Sequence, residues 1–208
     1  MNAGQVEMNN FRAKIKLASK FSRAELINLL LICALPVHLW AIITLLHDFS
    51  WYLEERTFNY FLAVAGYSLG FAILESLIFF VFIYLLTFLF PRSWKGDARL
   101  AVAGTLALVI AFWAILNQAV LLFAYDAPPW FEWVMLRVYF RQHQLSPVFW
   151  IILLASAGFP VVFLPRWEKG QKGVVAVLEK LSILVPIYLV FDLVGIIAAI
   201  YRVITYWV

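Results

Sequence analysis

FLAVAGYSLGFAILESLIFFVFIYLLTFLF, residues 61–90, runs for thirty positions with one acidic or basic side chain, Glu75. A helix needs roughly 20 apolar residues to cross the hydrocarbon core of a bilayer. This stretch is longer than a perpendicular crossing requires, so it must tilt or project into the interfaces. Working outward, four further stretches meet the same need, at 26–46, 99–125, 147–165 and 181–207. The whole chain is 65% hydrophobic and 13% charged, where a soluble domain carries about 45–50% and 25%. A soluble globular protein is thereby excluded. The single cysteine, Cys33, excludes an internal disulfide and any multi-thiolate metal site. The expected fold is an all-α integral membrane protein: a basic cytoplasmic amphipathic segment (1–24), then one five-span transmembrane helix bundle (25–208).

Basic residues set the expected orientation. Arg12, Lys14, Lys16, Lys20 and Arg23 precede the first span. Arg92, Lys95 and Arg99 separate the second from the third, and Arg166, Lys169, Lys172 and Lys180 lie in the fourth connection. Only Arg56, Arg137, Arg141 and Arg202 fall on the other side, among Asp48, Glu54, Glu55, Asp126 and Glu132. The positive-inside rule places the N-terminus in the cytoplasm and the C-terminus outside. Trp51, Tyr52, Tyr60, Trp130, Trp133, Trp150, Tyr206 and Trp207 gather at the outer ends, as interface anchoring predicts. The expected location is a plasma (inner) membrane.

Proline marks segment ends at Pro91, Pro147 and Pro165, where it costs little, while Pro186 predicts a kink early in the fifth span. The first span exceeds the ~7–15 residues of a signal-peptide core and lacks a small-x-small cleavage site. Ile32 stands where a lipoprotein needs a small residue before its cysteine. A retained anchor is expected, with Cys33 as a small buried hydrophobe.

Outside the spans, residues 11–23 read FRAKIKLASKFSR. At 100° per residue, Arg12, Lys16, Lys20 and Arg23 share one arc, and Phe11, Ile15, Leu17, Ala18 and Phe21 fill the opposite one. That pattern predicts a basic helix lying in the cytoplasmic interface. Its cations are expected to bind anionic lipid head groups at about 1 kcal/mol each. The connection 127–146 is rich in aromatics without one broad polar face, and reads as a short helix partly sunk in the outer interface.

Helices in lipid associate through small residues and interhelical hydrogen bonds. The second span offers Gly66-x-x-x-Gly70 on one side and Ser68, Ala72 and Glu75 on the other, which predicts a central helix with neighbours on both faces. The third carries a ridge of Ala107, Ala111, Ala114 and Gln118, with Asn117 beside it. In the fifth, Tyr188, Asp192, Gly195, Ala199, Arg202 and Tyr206 fall within an arc of about 80°. At ~1.5 Å per residue, His38 lies about 18 Å from the cytoplasmic end of its span, Glu75 about 22 Å and Asp192 about 17 Å. A midplane polar centre is expected from His38, Glu75 and Asp192, with Tyr188, Asn117, Gln118 and Arg202 around it. Glu75 and Asp192 are expected to face the interior, at least one of them neutral because burial disfavours the charged carboxylate.

Three function classes follow. Polar residues can hold helices together in a non-enzymatic subunit or scaffold. Carboxylates and a histidine at one depth can also carry protons, cations or a small solute, using Glu75, Asp192 and His38. The third class is an intramembrane or lipid-modifying enzyme. No H-E-x-x-H, G-x-S-x-G, C-x-x-C or phosphate-binding glycine loop is present. His38 and His47 differ by about 180° in helical phase and cannot share a ligand on one straight helix. No catalytic residue, metal or cofactor is therefore expected. The expected partners are an anionic bilayer and a second copy or partner membrane subunit, not nucleic acid.

Overall fold

The computed structural model describes residues 21–55, 58–91, 93–94, 96–124, 147–183 and 185–206, and every regular element among them is helical. Helix α1 spans Arg23–His47, opened by a reciprocal cap: Ser22 Oγ accepts the Glu25 N–H at 3.2 Å, and Glu25 Oε2 accepts the Ser22 N–H at 2.5 Å. A short α2 (Phe49–Glu55) leads to α3 (Phe58–Leu86), which tightens into a 3₁₀ turn at Thr87–Leu89 ahead of Pro91. Then come α4 (Gly96–Ala124), α5 (Pro147–Phe163) with a 3₁₀ turn at Leu164–Arg166, α6 (Glu168–Ser182) and α7 (Val185–Tyr206).

Four stretches are long and apolar enough to cross a membrane: Arg23–His47, Tyr60–Leu89, Gly96–Ala119 and Glu168–Ile197. Trp150–Arg166 is a shorter apolar helix, so the expected five full spans resolve into four such stretches and one shorter helix.

The basic connection after α5 is a helix, α6, because Val174, Val175, Leu178 and Leu181 recur at helical spacing and pack inward. Two local expectations are corrected. Pro186 does not kink a continuous span. The chain turns at Ile183, and α7 starts at Val185, so the proline sits in the first turn, where its missing N–H has no partner to lose. The amphipathic helix expected over 11–23 does not run through its last residues: Phe21 is in a bend, Ser22 is an N-cap, and Arg23 already belongs to α1. Arg12, Lys16 and Lys20 lie outside the described residues, as do the outer connection 127–146 and its His143.

Helix α1 sits between α3 and α4, and α6 wedges between α1 and α4 at the end of the bundle that carries Arg23, Arg99 and Arg166. The core there is Leu29, Ile32, Cys33, Leu100, Ala103 and Leu178. Gly104 leaves the space that Leu178 fills: a Cβ at this position would stand 2.5 Å from Leu178 Cδ1, and the leucine would have to shift. Gln171, buried on α6, donates to the Leu164 carbonyl at 2.8 Å and fixes the turn out of α5. Helix α5 lies on α4, tied by the Trp113 Nε1–H bond to Ser156 Oγ at 3.0 Å. At the opposite end Phe49, Trp51, Tyr52, Tyr60 and Phe61 pack edge-on and tilted into an aromatic corner. Burial raises the Tyr52 hydroxyl pKa above its ordinary value, and Asp48 and Tyr60 add to the shift.

Helix α7 packs on α3 and reaches α1 over a short length. The α3–α7 contact is backbone on backbone. A Cβ on Gly195 would stand 2.8 Å from Gly66 Cα, and one on Gly66 would press into the Gly195 carbonyl. Gly70 faces Ile196 at an ordinary 3.9 Å. The two glycines of the GxxxG motif are thus unequal, and Gly66 is the one that lets the helices touch.

Candidate functional site

Close approach at Gly66 brings Asp192, one turn before Gly195, against α1. There His38 Nε2 and Asp192 Oδ2 are 2.8 Å apart, with His38 and Asp192 each 1% exposed. The other ring nitrogen, Nδ1, lies 2.8 Å from the Ala34 carbonyl. A carbonyl can only accept, so Nδ1 carries hydrogen. With that tautomer fixed, Nε2 and Oδ2 at 2.8 Å need one proton between them, as imidazolium–carboxylate or as imidazole–carboxylic acid. Either way the pair has no net charge. That is the affordable form of an ionisable pair in hydrocarbon. Tyr188, one turn earlier on α7, stacks on the imidazole at 5.9 Å between ring centroids.

Ser76 completes the cluster and is absent from the residues singled out in the sequence. Its Oγ donates to the Ala72 carbonyl at 2.6 Å and lies 3.4 Å from His38 Nδ1. Serine, histidine and aspartate together resemble a nucleophilic triad in composition, but the bonds run the wrong way for one. Nδ1 has no lone pair to take the serine proton, which is already held by Ala72. Asp192 Oδ1 is buried with no hydrogen-bond partner among the described residues.

Glu75 is not in this cluster, which corrects the expected shared centre. It is exposed and lines a groove of ≈ 220 Å³ between α1, α3 and α4, together with Pro36, Trp40, Phe79, Ala114 and Gln118. The reason is azimuthal: Ser76, about 100° further round α3, takes the face towards His38. Gln118 is exposed in the groove and Asn117 is half-buried beside it. Ala107 is fully buried and Ala111 nearly so. The side chains of Ala199 and Arg202 lie outside the described residues, although both positions are within α7.

Among the described residues, no three His, Cys, Asp or Glu side chains are grouped to hold a metal ion. His47 pairs with the neighbouring Asp48 at 2.7 Å, away from His38. Comparison with known proteins yields no match to a family model, a curated protein or a solved structure.

Proposed function

We propose that this chain is a non-enzymatic component of a plasma membrane, a subunit or scaffold whose first and last helices are clamped by the His38–Asp192 bond. The observation that carries this reading is the buried 2.8 Å contact between α1 and α7, which otherwise meet over a short length. A net-neutral pair, fully buried where two helices meet, suits a fixed joint. Partner subunits or a second copy would assemble against the apolar surface that α3 and α7 expose. In this reading five helices cross the membrane. Helix α5 and its 3₁₀ turn measure about 31 Å at ~1.5 and ~2.0 Å per residue, enough for a hydrocarbon core of about 30 Å.

Proton permeation is the second reading, and Asp192 Oδ1 favours it, because a buried acceptor without a donor among the described residues is where a mobile proton or water would bind. Flux separates the two. Liposomes containing the full chain and an internal pH-sensitive dye are expected to leak protons no faster than empty liposomes. A leak that appears with the wild type and vanishes with Asp192→Asn would overturn the scaffold reading.

The proposed orientation, N-terminus cytoplasmic and C-terminus outside, is tested by cysteine labelling on a Cys33→Ala background. Ser93, Lys172 and Glu54 are exposed, so each accepts a probe without disturbing the core. Ser93→Cys and Lys172→Cys are expected to react only from the cytoplasmic side, and Glu54→Cys only from outside. The reverse pattern at any one position would break the assignment.

A further inference from the structure

We propose that the groove between α1, α3 and α4 binds a lipophilic organic cation, one positive charge on an aromatic or branched apolar body, with Glu75 as its counter-charge.

Glu75 lies about 22 Å along the helix from either end of the Tyr60–Leu89 stretch, deep enough to be out of reach of both interfaces. It is exposed into the groove, as is Gln118, and neither makes a hydrogen bond or ion pair among the described residues. A carboxylate left in hydrocarbon is expensive and tends to mark a functional site. The walls around it are apolar except for this acid, the amide and the indole of Trp40. Trp40 and Phe79 both line the same space, and aromatic faces beside a carboxylate are the combination that recognises cations lacking strong hydrogen-bond donors.

Size decides between a small molecule and a protein partner. A groove of ≈ 220 Å³ holds one ring-bearing body, whereas a transmembrane helix is about 10–12 Å across and too wide to enter it. Entry is from the side, because Ala114 and Gln118 are exposed. The ligand class is therefore one that already partitions into the bilayer. The site is separate from the His38–Asp192 clamp, and its failure leaves that reading untouched.

The experiment is equilibrium dialysis of methyltriphenylphosphonium against the purified full chain in lipid nanodiscs. Saturable binding at one site is expected, displaced by a second lipophilic cation and not by neutral triphenylphosphine oxide. Glu75→Gln should weaken binding at least about tenfold, Trp40→Leu about threefold or more, and Glu75→Asp less than threefold, since it keeps the charge. Asp192→Asn should leave binding within about twofold, because it touches only the clamp. Absence of saturable binding, equal binding by Glu75→Gln, equal loss in Glu75→Asp, or displacement by the neutral oxide would each overturn the proposal.

Discussion

Gly66→Leu is expected to unseat α7 from α3 and to destabilise the fold by about 3 kcal/mol or more, at the upper end of overpacking costs. The magnitude follows from what the new side chain meets. At most core positions an added methyl pushes against another side chain, which can change rotamer. At Gly66 it meets the carbonyl and Cα of Gly195, backbone atoms fixed inside another helix. Relief requires α7 to move away bodily. That movement also pulls Asp192 from His38, so the loss exceeds the local clash. Gly70→Ala is the matched control, since its Cβ would sit 3.9 Å from a flexible isoleucine branch. It should change stability by less than about 1 kcal/mol, with alanine's better helix propensity helping. Thermal unfolding of the full chain in detergent, followed by circular dichroism, reads both. Equal melting of Gly66→Leu and wild type would show that the helices do not meet there.

The contrast between Gly66 and Gly70 is also where the sequence stops being readable. Composition and span length led directly to α1, α3 and α4, because the hydrocarbon core imposes a length that no packing detail alters. Helix α6 is less legible, since Lys169, Lys172 and Lys180 dominate its composition and mark it as a topological signal. Its 3–4 spacing of Val174, Leu178 and Leu181 is the trace that distinguishes helix from loop. Depth counting put His38 and Asp192 at one level, and they bond there. It put Glu75 at that level too, yet only its neighbour Ser76 reaches the histidine. Axial position is additive along a chain and can be counted. Azimuth depends on which helices become neighbours, and that is settled by contacts such as Gly66 on Gly195 and Gly104 on Leu178.

At the His38–Asp192 pair, the expected result is an asymmetric double-mutant cycle. His38→Leu should destabilise more than Asp192→Leu, because the two survivors are left in different states. Without the histidine, Asp192 keeps a buried carboxyl with neither oxygen bonded to a described partner, since Oδ1 lacks one already. Without the aspartate, the imidazole still donates from Nδ1 to Ala34 and loses only its Nε2 contact. An unpartnered buried polar group costs about 1–3 kcal/mol, which sets the scale of both single changes. The double replacement removes both polar groups, so it should cost less than the two singles added, with a coupling of about 1–2 kcal/mol. That figure is held down by the alternatives a polar group finds in a loosened membrane state. Asp192→Asn should retain most of the stability, because its amide N–H can donate to Nε2 of the tautomer that Ala34 already selects. If the two single changes prove additive, measured by unfolding in mixed detergent micelles, the 2.8 Å contact stabilises nothing and α7 is held to the bundle by its packing on α3.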